Sequence, residues 1–248
     1  MKIIAVIPAR LSSTRFPEKV LAKKTGKFLI QHTYEQAKLA KTPEEVIIAA
    51  DDEKVSAAAE SFNAKCILTS PELKSGTDRI AQAVQNIPAD IIINIQGDEP
   101  EIDPAHIDLV AKLLVDNPNF PMATLIADFE NIDQVSNPNI VKVVTDNTGK
   151  AVYFSRSPIP YDRENSATVD IDLYNRHIGI YAYRKDFLLE FTKMPQTILE
   201  KTEKLEQLRA IENGYEILTA KVNHTCDGID TPEQYEEFVK RQKKKEGM

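Results

Sequence analysis

A chain of 248 residues, 42% hydrophobic and 28% charged, holds enough apolar material for a sizeable core in one large or two small domains. Its formal net charge of −7 speaks against a general nucleic-acid binder, which needs a basic face, and leaves room for a local cationic pocket. No apolar stretch approaches membrane-spanning length, and no charged n-region, long h-region and cleavage site open the chain, so a cytoplasmic protein without membrane insertion is expected.

The first apolar run, Ile3 to Ile7, is short and β-branched and stops at Pro8; it reads as a buried parallel strand. The loop that follows carries Arg10, Arg15 and Lys19 among small residues. Open α/β sheets bind ligands at the C-terminal ends of their strands, and several cations in one such loop suit a polyphosphate; a basic surface loop is the plainer alternative. Helical spacing follows from residue 28 to about 40, then a strand at 46–50, a helix at 54–62 and a strand at 65–68. A helix at 78–87, a strand at 90–95 and a helix at 104–116, with Asp103 as N-cap and Pro104 at its first position, complete a regular alternation. That alternation predicts an α/β fold, a mostly parallel sheet with helices on both faces.

From about residue 120 strands dominate: 122–126, 140–145, 151–155, 178–183 and 216–222, with one long helix at about 199–213. Asp146, Asn147, Thr148 and Gly149 form a hairpin signal. This half is expected to fill out the sheet and add a smaller antiparallel subregion to a single domain, 1–248. Thr231 and Pro232 start a last helix running to about Lys240, and the basic residues from Lys240 to Lys245 read as a solvated, frayed helix end. Cys66 and Cys226 show no CxxC or zinc spacing and are read as reduced thiols.

Four further segments carry candidate chemistry. The segment Lys74 to Arg79 joins a strand to a helix; its Ser, Gly and Thr supply amides and hydroxyls at a helix N-terminus, suited to a nucleotide or to ordinary capping. Gln96, Gly97, Asp98 and Glu99 follow an apolar strand, and a carboxylate there suits a divalent cation such as Mg²⁺, which keeps waters and bridges substrate phosphates. Asp230, before Thr231 and Pro232, is a second carboxylate that needs Asp98 nearby in space to matter. Arg156, in a stretch stiffened by Pro158 and Pro160, is a candidate carboxylate clamp. GxGxxG and GxxxxGK[ST] are absent from the sequence, and no serine or cysteine is coupled to a recognisable base.

Read jointly, the segments Ile7 to Arg10, Ser13 to Arg15 with Lys19, Ser75 to Arg79, Gln96 to Pro100, Asn137 to Lys142, Tyr153 to Tyr161, Arg176 to Tyr181, Leu205 to Arg209 and Gly228 to Pro232 closely resemble the 3-deoxy-manno-octulosonate cytidylyltransferases, the CMP-Kdo synthetases. The resemblance is collinear over nearly the whole chain. It implies a Rossmann-like nucleotidyltransferase fold and a homodimer. It also implies a reaction of CTP with a 2-keto-3-deoxy sugar acid, giving CMP-Kdo and pyrophosphate for lipopolysaccharide biosynthesis. By that likeness Lys19, Asp98 and Asp230 are catalytic. Ala9, Arg10, Arg15, Lys19, Ser75, Thr77 and Arg79 hold the nucleotide, and Asp98 and Asp230 bind Mg²⁺. Gln96, Arg156, His177, Tyr181, Glu206 and Gln207 line the sugar pocket. Two residues depart from the family pattern. Glu18 stands where Gly is usual, so its carboxylate is expected to point to solvent. Leu73 stands where His is common, which leaves the sugar open between Kdo and its 8-amino analogue. An N-acylneuraminate cytidylyltransferase and a nucleotide-binding module without catalysis are the rival readings.

Overall fold

The computed structural model describes residues 1–13, 15–163, 170–223 and 228–245. Thr14 of the opening motif and Cys226 lie outside the described residues. The chain divides into two compact units, Met1–Asp108 with Cys226–Met248, and Leu109–Thr225.

In the first unit four parallel strands, β1 (Ile3–Ala9), β2 (Glu45–Ala50), β3 (Lys65–Leu68) and β4 (Ile91–Asn94), pair in the order β3-β2-β1-β4. Most side chains of β1, β2 and β4 are buried, as their continuous apolar runs require of a sheet covered on both faces. Helices α1 (Leu29–Leu39), α2 (Glu53–Ser61) and α3 (Gly76–Val84) connect these strands. Helix α4 (Pro104–Asp116) starts where expected, with Asp103 Oδ1 accepting from the Ala105 amide at 2.8 Å.

The C-terminal helix runs over Pro232–Lys245 and is five residues longer than its apolar pattern suggests. Its basic end is anchored rather than frayed: the Glu101 carboxylate accepts from Arg241 at 2.7 and 2.9 Å, Gln242 at 3.2 Å and Lys245 at 2.9 Å. Tyr235, Phe238 and Val239 from this helix pack with Leu29 and Ile229, and Phe16 and Ala22 of the opening loop close over them. Burying each of those large side chains contributes about 1.5–3 kcal/mol, so the loop after β1 and the C-terminal helix are held by one small core.

The second unit contains β5 (Met122–Asp128), α5 (Ile132–Ser136), β6 (Lys142–Thr145), β7 (Ala151–Ser155), β8 (Asn175–Arg184), α6 (Lys185–Phe191), α7 (Ile198–Glu203), α8 (Leu208–Glu212) and β9 (Ile217–Val222); the C-terminal helix is then α9. Strand β5 pairs antiparallel with β8 and parallel with β9, while β6 pairs antiparallel with β7 and with the start of β8. The hairpin between β6 and β7 turns at Gly149, whose φ of 82° needs a glycine, and Asp146 Oδ1 accepts from the Thr148 and Lys150 amides at 2.8 and 3.0 Å.

The long helix expected at 199–213 is two short ones, broken at Lys204, which adopts φ 54° and ψ 44°. Leu205, Glu206 and Gln207 therefore stand in the turn between α7 and α8 rather than along a helix face. Helices α5 and α6 are additions that periodicity did not disclose; each is under two full turns, too short for an apolar repeat.

Candidate active site

Strand order in the first unit reverses between β1 and β4, so the loops leaving those two strands border the crevice where open α/β sheets take ligands. Gly97 makes the crevice possible. A Cβ at this position would lie 2.9 Å from the Pro8 carbonyl, so only glycine lets the chain after β4 press against the end of β1. Thr33 Oγ1 donates to the Gly97 carbonyl at 3.2 Å from inside the core and fixes the turn. Asp98 follows at once, and its carbonyl accepts from the Ile229 amide at 2.8 Å. That backbone link sets Asp230 beside Asp98.

Between the two carboxylates stands Lys19. Its Nζ lies 2.7 Å from Asp98 Oδ2 and 3.0 Å from Asp230 Oδ1, and its side chain is only 9% exposed. Arg15 Nη2 reaches Asp230 Oδ2 at 2.8 Å from a much more open position. Lys19 begins a single 3₁₀ turn, and the residue before it, Glu18, has φ 52° and ψ 28°. Left-handed backbone at Glu18 explains why glycine suits this place. Its carboxylate is exposed and meets Lys54 Nζ at 3.0 Å, so it points to solvent as expected.

The loop start is pinned from beneath. The Leu11 amide donates to Asp51 Oδ1 at 2.9 Å, and Arg10 Nη2 donates to the Leu73 carbonyl at 3.0 Å. Leu73 thus contributes backbone to the site whatever its side chain. Arg79 is fully buried: its Nη1 donates to Thr69 Oγ1 at 2.5 Å and its Nη2 lies 3.6 Å from Asp51 Oδ2. Burial pushes its pKa down, Asp51 opposes this and Arg10 adds to it. Arg79 therefore acts on the loop through Asp51. Ser75 is a helix cap, accepting from the Asp78 amide at 3.0 Å while its own amide donates to Asp78 Oδ2 at 3.1 Å. Thr77 and Ala9 are buried. A cavity of about 300 Å³ is bounded by Arg10, Ser12, Ser13, Lys19, Gln96 and Asp98. A second, of about 750 Å³, lies against Arg10, Ser12, Ser13, Glu18, Asp51 and Asp52. Together they can take a nucleotide.

The first unit thus gathers Arg10, Arg15, Lys19, Gln96, Asp98 and Asp230 into one place. Asp51 is the residue that sequence reasoning missed, since one acid after a strand looks like a helix cap until its acceptor role toward Leu11 is visible.

The second unit holds the remaining sequence-predicted residues. Arg156 donates from Nε to the Glu203 carbonyl at 2.6 Å, from Nη1 to the Pro138 carbonyl at 2.9 Å and from Nη2 to the Lys204 carbonyl at 3.3 Å. Three of a guanidinium's five N–H groups are so committed. Glu203, also unforeseen, accepts from Ser155 Oγ at 2.7 Å and the Arg156 amide at 2.9 Å. Lys142, fully buried, donates to the carbonyls of Asn137 and Ile140 at 3.0 and 2.8 Å; burial lowers its pKa, as does Arg156, against Glu203. His177 Nε2 lies 3.0 Å from Thr124 Oγ1, whose hydroxyl donates to the Ile180 carbonyl at 2.7 Å. The threonine proton being spent there, the imidazole carries its proton on Nε2. Burial, and then Arg176, push the His177 pKa down to about 3, so the ring is neutral. Tyr181 lies tilted against it at 5.4 Å and Phe154 meets it edge-on at 5.0 Å. Gln207 is buried, and Glu206 stands 3.5 Å from Arg209, whose guanidinium forms a buried two-point pair with Glu200 at 2.8 and 2.6 Å.

A metal at Asp98 and Asp230 passes one test: a single cationic nitrogen already contacts both carboxylates. No group of three or more His, Cys, Asp and Glu able to hold a metal occurs among the described residues. Two carboxylates alone suit Mg²⁺, which takes its other ligands from water and substrate phosphates.

A parallel α/β unit whose switch point pairs phosphate-suited cations with metal-suited carboxylates defines an α/β enzyme of nucleotide transfer. More particularly, the chain belongs to the cytidylyltransferase family: that family's sequence model, described as Cytidylyltransferase, matches residues 4–217. Curated relatives named 3-deoxy-manno-octulosonate cytidylyltransferase include one from Solibacter usitatus, 50% identical over 95% of this chain and 92% of its own length. Another, from Geobacter sulfurreducens, is 45% identical over 98% of this chain and 100% of its own. A solved structure of CMP:2-keto-3-deoxy-manno-octonic acid synthetase complexed with CTP superposes with a TM-score of 0.93 at 40% identity, covering 99% of this chain and 100% of that one. A cytidylyltransferase from Leptospira borgpetersenii shares the fold, with a TM-score of 0.62 at 18% identity over 96% of this chain and 85% of that one. No helix among the described residues is long and apolar enough to cross a membrane.

Proposed function

We propose that this chain transfers the cytidylyl group of CTP to 3-deoxy-manno-octulosonate, releasing pyrophosphate and giving CMP-Kdo for lipopolysaccharide synthesis. The observation that carries the reading is the set of four charges at the switch point, Arg15 and Lys19 against Asp98 and Asp230. Binding alone requires the cations and does not require two carboxylates placed to hold a metal beside the nucleotide. Transfer at phosphorus is catalysed mainly by positioning and charge neutralisation, which such a set supplies.

In this reading Arg10, Arg15 and Lys19 hold the triphosphate. Arg79 and Asp51 keep the Arg10 loop in place through the Leu11 amide, and Ser75 orders the start of α3 beside the cytidine. Mg²⁺ bound by Asp98 and Asp230 would supply charge neutralisation at the phosphates and acidify the attacking sugar hydroxyl. The two N–H groups of Arg156 beyond those given to carbonyls orient the sugar carboxylate. His177 and Tyr181, with Gln96, Glu206 and Gln207, read its hydroxyls; the neutral imidazole, its Nε2 proton turned to Thr124, can accept at Nδ1 without adding charge. The whole chain then works as one nucleotidyltransferase domain, in the cytoplasm and as a homodimer.

The test is pyrophosphate release from CTP and Mg²⁺ with Kdo, its 8-amino analogue and N-acetylneuraminate. Release is expected with Kdo. Greater turnover with another of the three moves the assignment to that sugar, and CTP binding with no release from any makes the chain a binding module.

A further inference from the structure

The groups suited to a nucleotide's phosphates and the groups suited to its metal occupy one another. Lys19 Nζ contacts both carboxylates, at 2.7 and 3.0 Å, and Arg15 contacts Asp230 at 2.8 Å. The two members of this set differ in strength. Arg15 and Asp230 are 62% and 42% exposed, so their pair contributes little. Lys19 is 9% exposed and set between two acceptors, so removing it uncompensated leaves Asp98 and Asp230, 30% and 42% exposed, repelling each other with only water to replace the shared cation.

We propose that these four residues form a charge-exchange clasp that opens fully only to a metal–nucleotide pair. A phosphate chain alone can draw Lys19 and Arg15 away only by stranding Asp98 and Asp230. A divalent cation alone can enter only by stranding the two cations, with no phosphate to take them up. Both together exchange partners with the clasp: phosphate oxygens take Arg15 and Lys19, the metal takes Asp98 and Asp230, and no charge is left alone. Metal and CTP must then strengthen each other's binding by the same factor, since linkage between two ligands is reciprocal. The inference rests on the CTP and Mg²⁺ assignment above and adds to it the closed state and the sign of its substitutions.

That sign is unusual. Asp98→Asn and Asp230→Asn, which remove a metal ligand, are expected to tighten CTP binding in EDTA by roughly fivefold or more, a coupling at the lower end of the common range. Each frees Lys19 in part. Lys19→Met, which weakens CTP binding, is expected to tighten Mn²⁺ binding without nucleotide by a similar factor. Glu18→Gln is the control for charge alone. It removes one negative charge from the wall of the larger cavity, outside the clasp, and is expected to change metal-free CTP affinity less than twofold. Titration calorimetry reads CTP, Mn²⁺ electron spin resonance reads the metal, and circular dichroism confirms that each variant is folded.

Wild-type chain that binds CTP in Mg²⁺, with both asparagine variants binding metal-free CTP no tighter than wild type, overturns the clasp and leaves the proposed function standing. An equal gain in Glu18→Gln overturns it as well. Failure of the wild type to bind CTP in Mg²⁺ overturns both.

Discussion

Each unit has a concentration of charge, and the two are built in opposite ways. In the first, Arg15, Lys19, Asp98 and Asp230 are satisfied by one another's side chains at the mouth of a crevice. In the second, Arg209 and Glu200 are sealed at 6% and 5% exposure, and Arg156 and Lys142 donate to backbone carbonyls. Side-chain partners at a crevice can be traded for a ligand's charges. The sealed pair and the buried Lys142 cannot, because release would strand a buried group. The first arrangement is therefore suited to exchange and the second to holding a surface in shape.

The sharpest way to break this contrast is to compare one substitution from each side. Asp98→Asn should lower kcat on the order of 10³-fold while the melting temperature stays close to wild type, since a metal supplies several kcal/mol to such a step. Near-normal turnover in Mg²⁺ would end the metal assignment. Arg209→Met should do the reverse. It leaves Glu200 buried and unpaired and should cost about 3–5 kcal/mol of stability in a denaturant titration, with the activity of the folded fraction largely kept. A loss under about 1 kcal/mol would mean that the pair is exchangeable after all.

His177 sharpens the second unit's half of the contrast through pH. With a folded pKa of about 3 and an ordinary value of 6.5, it takes up its proton more readily unfolded than folded. Its contribution is complete above pH 6.5 and should decline steadily as pH falls toward 3. His177→Gln, which keeps a donor for Thr124, should flatten that part of the urea midpoint against pH; an unchanged slope would show that the ring takes up its proton as readily folded as unfolded.

Gly97→Ala probes the crevice itself. The added methyl meets the Pro8 carbonyl at 2.9 Å, and forcing the β4 turn away should cost about 1–3 kcal/mol and raise KM for CTP. The smallest effect belongs to Glu18→Gly. Relief of left-handed strain, about 1–2 kcal/mol, is partly offset by the greater freedom of glycine in the unfolded chain, so a gain of up to about 1 kcal/mol is expected, read as a rise in melting temperature. A fall would show that the exposed pair with Lys54 matters more than exposure suggests.

Much of this was legible in the residues. The runs at Ile3 to Ile7, Val46 to Ala50 and Ile91 to Ile93 are apolar on both faces, a pattern that only a covered parallel strand satisfies, and all three lie in strands of the first unit. Pro104 with Asp103, and Gly149 with Asp146, act through neighbours two or three residues away, so their cap and turn needed no tertiary knowledge. Collinear motifs carried the family. What local pattern could not carry was partnership across the chain. Lys204 breaks a helix whose residues all tolerate helix, and α9 outruns its apolar stripe because Glu101, more than a hundred residues earlier, holds its basic end. In sequence Asp98 suits a divalent cation by itself, while Asp230 is an ordinary capping acid unless Asp98 lies beside it. Only the backbone link from Ile229 to Asp98, and the lysine that then stands between their carboxylates, makes them one site, because a shared cation position exists only after the chain has folded.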